Sequence, residues 1–249
     1  MGYLEELFNK PEQMADVYRA TNLLQETPYK INPGVFRVLK QCWEMGGGLA
    51  GLPLREGAEL PNKPVDIETN EVARKAWRKA AAVVHEENAH AKSKRTAVAQ
   101  KIWIAEKFKA EEEIFFPHAL DWRGRVYPLP AFVNPQGDDS GRGLLMFAKG
   151  KPLGEDGVAW LMVHLANCFG FDKASFDERM DWVEEHHDLI LDSAILPLEG
   201  KRFWADADKP FQFLAACMEY AGFVMTGPDY VSHLPIHVDA TCSGIQVFS

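Results

Sequence analysis

The spacing of apolar and polar positions divides the chain into stretches of different texture. The first forty residues predict short helices broken at Pro28 and Pro33, and the stretch from Gly46 to Pro64, rich in Gly and Pro with little periodicity, reads as a linker. From Asn70, an N-cap followed by Glu71, to about Glu113 there is neither Gly nor Pro, and Ala, Lys, Glu and Arg predominate, which predicts one long helix or a pair. Beyond Phe116 the chain turns to Trp, Arg, Gly, Pro and aromatics, with strand-like runs over 125–129 and 144–148. Helices are predicted again over 154–168, from Ser175 to about Ile195, and from Pro210 to Tyr220 with Gly222 as the stop. Ser175-Phe176-Asp177-Glu178 has capping-box spacing, and Pro210 stands where a first-turn proline belongs. The last strand candidate, Leu234 to Asp239, places Leu234, Ile236 and Val238 on one face and His237 and Asp239 on the other. The sum is an α+β fold, predominantly helical, with a few antiparallel strands.

Composition narrows the class. In 249 residues, 47% apolar and 25% charged side chains describe a globular chain able to bury a core and not a disordered one. No apolar run reaches membrane-spanning length, and Met1 to Lys10 carries charges where a signal peptide needs an apolar centre, so a soluble, cytoplasmic protein is expected. Cys42, Cys168, Cys217 and Cys242 are scattered, without metal or disulfide spacing, and read as buried free thiols. The net charge of −9 speaks against a nucleic-acid partner, but its distribution does not. Between Arg74 and Lys101 eight Lys and Arg stand against Glu86 and Glu87, a local excess of six positive charges on the long helical segment. That segment is either a solvated charged face or a nucleic-acid arm.

Two constellations carry candidate chemistry. A strand that delivers Asp239 ahead of the small residues Ala240-Thr241-Cys242-Ser243-Gly244 would place a metal ligand at a cleft, although a strand-end Asp also commonly caps the following helix. His237 and Asp239 also have the spacing that begins a non-haem iron triad, but no His follows to complete it. In Asp121-Trp122-Arg123-Gly124-Arg125-Val126-Tyr127, two guanidinium groups suited to phosphate flank a glycine, and Trp122 and Tyr127 offer faces for base stacking. The bland alternative is an Arg–Asp surface pair beside a buried Trp. Asn134-Pro135-Gln136-Gly137 reads as a turn, Arg142, Lys149 and Lys151 add positive charge, and Lys173 alone is an ordinary solvated lysine.

Taken in order, Phe116-Pro117, the Asp121–Tyr127 element, Asn134-Pro135-Gln136-Gly137, Gly143-Leu144-Leu145, Ala148-Lys149-Gly150-Lys151-Pro152, Glu219-Tyr220-Ala221-Gly222 and Cys242-Ser243-Gly244-Ile245-Gln246 resemble the single-subunit DNA-directed RNA polymerases of the phage and mitochondrial type. Upstream the resemblance continues through Leu60-Pro61-Asn62-Lys63-Pro64 and Ala76-Trp77-Arg78-Lys79-Ala80. It implies a helical segment and linker over residues 1–59, a helical thumb over 60–115, and the first part of a polymerase palm over 116–249, in an internal piece of a longer enzyme. It further implies that Asp121, Arg123, Gly124, Arg125 and Tyr127 contact nucleic acid and that Arg142 lies near the template. Lys173 would face the triphosphate or pyrophosphate. Asp239 would be the first catalytic carboxylate, binding both Mg²⁺ ions, with the Ala240 carbonyl completing one shell. The partners implied are a DNA template, the RNA product and NTPs, with no membrane, in an enzyme that acts as a monomer in the host cytoplasm or, for an organellar source, in mitochondria.

The chemistry so implied is attack of a ribose 3′-hydroxyl on the α-phosphorus of an NTP, with two Mg²⁺ ions about 3.5–4 Å apart bridged by carboxylates. One carboxylate is not enough. The family's second aspartate and its fingers helix lie beyond the matching segment, so the 249-residue chain is expected to be inactive alone. Ala240 replaces a common glycine, Val247 a common histidine, and the loop after Tyr127 is one residue longer than in the phage pattern. Two alternatives are a non-catalytic nucleic-acid-binding module and a piece of a single-subunit DNA polymerase. The latter usually carries Thr in place of Asp121.

Overall fold

A computed structural model of the protein describes residues 14–122 and 124–237. The chain opens with α1 (Ala15–Gln25), the short strand β1 (Tyr29–Ile31) and α2 (Pro33–Glu44). Pro33 starts a helix instead of breaking one. Its preset φ and missing N–H suit the first turn, and the Asn32 side chain caps that turn by accepting the N–H groups of Gly34 and Val35, each at 3.1 Å. Where only helices were expected, β1 pairs antiparallel with β4 (Leu145–Phe147), Tyr29 opposite Phe147 and Ile31 opposite Leu145.

The long helical segment is one helix, α3 (Glu71–Phe108), of 38 residues, capped by the Asn70 side chain on the Ala73 N–H at 3.1 Å. At 1.5 Å per residue it is about 57 Å long. It ends at Phe108, short of Glu113, because Ile114 is drawn into backbone pairing with Tyr29. The preceding linker has no helix, yet it is strapped along α3. The Asn88 amide exchanges two 2.8 Å hydrogen bonds with the Ala58 backbone, Trp77 donates its indole N–H to the Pro61 carbonyl at 2.8 Å, and the Lys63 ammonium lies 5.4 Å over the Trp77 ring.

The remaining elements are β2 (His118–Leu120), β3 (Val126–Pro128), α4 (Asp139–Gly143), β4, β5 (Lys151–Pro152), α5 (Gly154–Phe169), α6 (Phe176–Glu185), α7 (His187–Ile195), a 3₁₀ turn (Phe203–Asp206), α8 (Pro210–Thr226) and β6 (Val231–Ser232). Among the described residues the strands form three two-stranded antiparallel sheets, β1–β4, β2–β3 and β5–β6, within a predominantly helical α+β fold. The capping box of α6 is complete: the Ser175 hydroxyl accepts the Glu178 N–H at 3.3 Å, and Glu178 accepts the Ser175 N–H at 2.8 Å. The single helix expected to reach Ile195 is two. At the junction the His186 ring stacks 4.3 Å from the Trp182 ring and bonds the Trp182 carbonyl through Nδ1 at 2.8 Å. The same carbonyl also accepts the His186 backbone N–H at 3.1 Å, so the ring adds a second partner at the end of α6.

Helix α8 is the centre of the fold, with Phe211, Phe213, Leu214, Ala216 and Cys217 almost fully buried against Trp204, Leu144, Val35 and Leu39. Pro210 is its first residue, as expected, but Gly222 does not end it; the helix runs to Thr226 and stops at Gly227. A Cβ at Gly222 would lie 2.4 Å from the Tyr230 ring, so this glycine allows a close packing and is not a stop signal. Asp139, at the start of α4, caps α8 from a distance in sequence: its carboxylate accepts the N–H groups of Phe211 and Gln212 at 2.8 and 3.0 Å. Cys42, Cys168 and Cys217 are buried free thiols, as the spacing implied; Cys242 lies outside the described residues. From Leu234 to His237 the chain forms no strand, and Ile236 is 48% exposed where a core-facing position was expected.

Candidate nucleic-acid and phosphate site

The Asp121–Tyr127 element folds as the turn of the β2–β3 hairpin, closed by the Leu120–Val126 pair. The Asp121 N–H donates to the Arg125 carbonyl at 2.8 Å, the Asp121 carboxylate accepts the Arg125 N–H at 2.9 Å, and Gly124 takes a positive φ of 78°. Asp121 and Gly124 therefore shape the turn. Trp122 is 90% exposed, which removes the reading of a buried Trp beside a surface pair. Arg125 and Tyr127 are exposed as well, so the hairpin presents a cation and two aromatic side chains to solvent. Arg123 lies outside the described residues.

A second assembly follows in the chain. The Gln136 side chain donates to the Val126 carbonyl at 3.1 Å, and Arg142 Nε donates to the Gly137 carbonyl at 2.7 Å, so the Asn134–Gly137 turn links the hairpin to α4. Half-buried Arg142 lines a cavity of about 500 Å³ together with His164 and Asn167 of α5, Arg179 of α6, Lys209 and His237. The hairpin residues do not line it. Asp172 is on its wall, and the neighbouring Lys173 holds the Asp172 carboxylate at 3.0 Å with its side chain 90% exposed, so Lys173 stands at the rim. That ammonium draws the Asp172 carboxyl below its ordinary range. The loop is fixed by Arg179, which donates to the Ala174 carbonyl at 3.0 Å, the Asn167 side-chain oxygen at 2.9 Å and the Asp172 carbonyl at 2.8 Å.

The electrostatics favour an anion. Burial, with His237 and Lys209 nearby, pushes His164 down to about 4; burial, with Arg142 and Lys209, does the same to His237. Both rings are neutral near pH 7, and the charge of the cavity wall comes from Arg142, Arg179 and Lys209 against the Asp172 carboxylate, a net excess of positive charge. His164 Nε2 lies 3.4 Å from Cys168 Sγ, but burial raises that thiol to about 12, so it is no nucleophile. The described residues contain no group of three or more side chains able to hold a metal ion. Asp239 and Ala240 lie outside the described residues, two and three positions beyond His237 on the cavity wall.

Reading the sequence brought out Arg142 and Lys173 but missed Arg179, Lys209, His164 and Asn167. The His164–Cys168 spacing of one helical turn was visible; what Arg179 does was not, because two of its three acceptors are backbone carbonyls placed only by the tertiary fold.

Comparison with known proteins gives the class. Residues 151–249 match the family model described as DNA-dependent RNA polymerase, and over 95% of its length the chain is similar to RNA polymerases of the phage and mitochondrial type. It is 47% identical over 238 residues to the DNA-directed RNA polymerase of Enterobacteria phage T3, covering 95% of this chain and 27% of that protein. To T7 RNA polymerase of Escherichia phage T7 it is 45% identical over 242 residues, with 95% and 27% covered. To the mitochondrial DNA-directed RNA polymerase of Neurospora crassa it is 43% identical over 239 residues, with 95% and 17% covered. The chain thus spans about a quarter of the length of its phage relatives.

Proposed function

We propose that this chain forms the part of a single-subunit DNA-directed RNA polymerase that grips nucleic acid and leads into the first catalytic carboxylate. On this reading residues 60–115 are the thumb, with the basic face of α3 along the DNA template and RNA product, and residues 116–249 open the palm. The observation that carries the reading is the cation-walled cavity of about 500 Å³ directly upstream of Asp239, with Lys173 at its rim. It has the size and charge for the phosphates of an NTP or the pyrophosphate released from it. Arg142 and Lys209 bind and orient the anion, Arg179 holds the loop that carries Lys173, and the two neutral histidines add no competing charge. The exposed Trp122 and Tyr127 offer stacking faces, and Arg125 a fork for a backbone phosphate.

Asp239 and the Ala240 carbonyl are hard oxygen donors suited to Mg²⁺, which, when bound, lowers the pKa of the attacking hydroxyl and neutralises charge on the leaving group. For the 249-residue chain by itself, binding without turnover is the expected behaviour. Among the described residues no helix is long and apolar enough to cross a membrane. We place the protein in the host cytoplasm for a phage source and in mitochondria for an organellar one.

Titration of the chain with inorganic pyrophosphate, followed by calorimetry, tests the cavity. Saturable binding that weakens about tenfold or more on Arg142→Ala, as loss of a charged hydrogen-bonding partner requires, is expected. Absence of heat, or binding indifferent to Arg142, Lys209 and Lys173 together, would remove the phosphate reading.

A further inference from the structure

Two aromatic rings on the wall of the cation-lined cavity have no part in the phosphate reading. Trp160 of α5 is 55% exposed and Phe176 of α6 is 53% exposed, and the rings meet edge to face with centroids 5.3 Å apart. Trp160, Val163, His164, Asn167 and Cys168 recur at helical spacing, so a single face of α5 lines the cavity from an aromatic end to a polar one. At 1.5 Å per residue, Trp160 and Asn167 stand about 10 Å apart along the axis. Two of the three cations stand at the polar end: Arg179 donates to the Asn167 side-chain oxygen at 2.9 Å, and the Lys209 N–H donates to the Cys168 carbonyl at 3.0 Å. Trp160, Val163 and Phe176 also line a second cavity, of about 280 Å³, whose wall includes the exposed carboxylate of Asp156.

We propose that Trp160 and Phe176 form a base subsite, so that the cavity takes a whole nucleoside triphosphate in the absence of a template strand, its phosphates on Arg142 and Lys209 and its base against Trp160. The inference rests on the phosphate reading above and adds the base to it. A site for phosphate alone needs cations and no open indole, whereas an aromatic ring and guanidinium groups within one cavity are the combination that a base linked to phosphates uses. The span between the aromatic and the polar end of α5 suits a ribose with its phosphate chain, and the cavity falls in the range of about 300–1,000 Å³ typical of small-ligand sites. Asp156, beside the aromatic pair, supplies an acceptor for the N–H groups of a base. Single-stranded nucleic acid offers the same chemistry, but cations gathered at one end of a concave site match the clustered charge of a triphosphate better than the spaced charges of a strand.

Calorimetric titration of the chain with ATP, inorganic tripolyphosphate and a 5′-phosphorylated oligoadenylate, without added metal, tests the subsite. Tripolyphosphate carries at least the charge of ATP, so tighter binding of ATP reports the nucleoside. ATP should bind at least fivefold more tightly than tripolyphosphate, Trp160→Ala should abolish that difference, and Trp160→Phe, which keeps a ring, should restore most of it. Because Trp160 is more than half exposed, Trp160→Ala keeps the fold, and its unchanged affinity for tripolyphosphate is the internal check. Tripolyphosphate binding as tight as that of ATP, or an ATP affinity indifferent to Trp160, would overturn the base subsite and leave the phosphate reading standing. ATP binding that needs Trp160 but ignores Arg142 and Lys209 would do the reverse, keeping the base contact and removing the phosphate reading. Tighter binding of the oligoadenylate than of ATP would overturn the proposal in favour of a strand-binding groove, and no binding of any of the three would remove both readings.

Discussion

Lys101 provides the sharpest test of how the long helix is attached. It is 4% exposed on α3, and its ammonium bonds the Asp138 carboxylate and, at 2.9 Å, the Ser140 hydroxyl. Asp138→Asn removes the counter-charge while keeping the side-chain oxygen that caps the Gly141 N–H at 3.0 Å, so the effect isolates the ion pair from the cap. Breaking a fully buried pair on one side costs about 3–5 kcal/mol; because the Asp138 side chain is largely exposed, about 2–3 kcal/mol is expected here. For a chain of this size that lowers Tm by roughly 5–10 °C. Lys101→Met removes the buried charge together with its need for a partner, and the double variant should lose less than the sum of the singles, with a coupling of about 2 kcal/mol. The assay is urea unfolding of all four proteins at pH 7, repeated at lower pH. Burial opposes ionisation of Asp138, but Lys101 and the Gly141 N–H more than offset it, so its folded pKa is depressed. The pair's stabilisation is therefore present above the unfolded value of about 3.9 and lost as pH falls through the lower folded value, and Asp138→Asn should flatten that window. Single losses that add to within about 0.5 kcal/mol in the double variant would refute the argument.

Other outcomes follow from the same geometry. Gly222→Ala should destabilise by about 1–3 kcal/mol in thermal unfolding, because the added methyl meets the Tyr230 ring; Gly124→Ala, where a Cβ meets nothing within 4 Å, should cost only the roughly 1 kcal/mol of a left-handed backbone. Asp139→Ala should cost about 2 kcal/mol in urea unfolding, since two N–H groups at the start of α8 lose their acceptor. His164 is buried with its pKa pushed down to about 4, so the unfolded chain takes up its proton first as pH falls from about 6.5. Stability should decline between about pH 6.5 and 4 by roughly 2–3 kcal/mol for this residue, and His164→Gln should remove that share of the slope, leaving the contribution of His237, which is pushed down in the same way.

The elements that sequence alone made legible are those set by local rules: the Asn70 cap and the unbroken α3, the Ser175–Glu178 box, Pro210 at the head of α8, and the strand runs at 126–128 and 145–147. What local rules cannot see is pairing across long sequence distances. Strand β1 exists because β4 offers it an edge, and α8 passes Gly222 because Tyr230 needs the space. The hairpin and Lys173 were found through an ordered set of motifs, while the cavity's other cations were not, since neither Arg179 nor Lys209 carries a local signal of what it faces. The exposure of Ile236 shows the limit of alternation: two-residue periodicity assumes a paired strand, and residues 234–237 have no strand partner.

Binding of a DNA template–RNA hybrid, measured by fluorescence anisotropy across a salt series, tests whether the chain grips nucleic acid. Binding is expected whose logarithm falls with log salt at a slope of about −4, as neutralisation of roughly four to six phosphates requires, weakened by Arg125→Ala and by charge removal at Arg78 and Lys79 on α3. A chain that fails to bind the hybrid at low salt, or binds it with no salt dependence and no response to those substitutions, would contradict it.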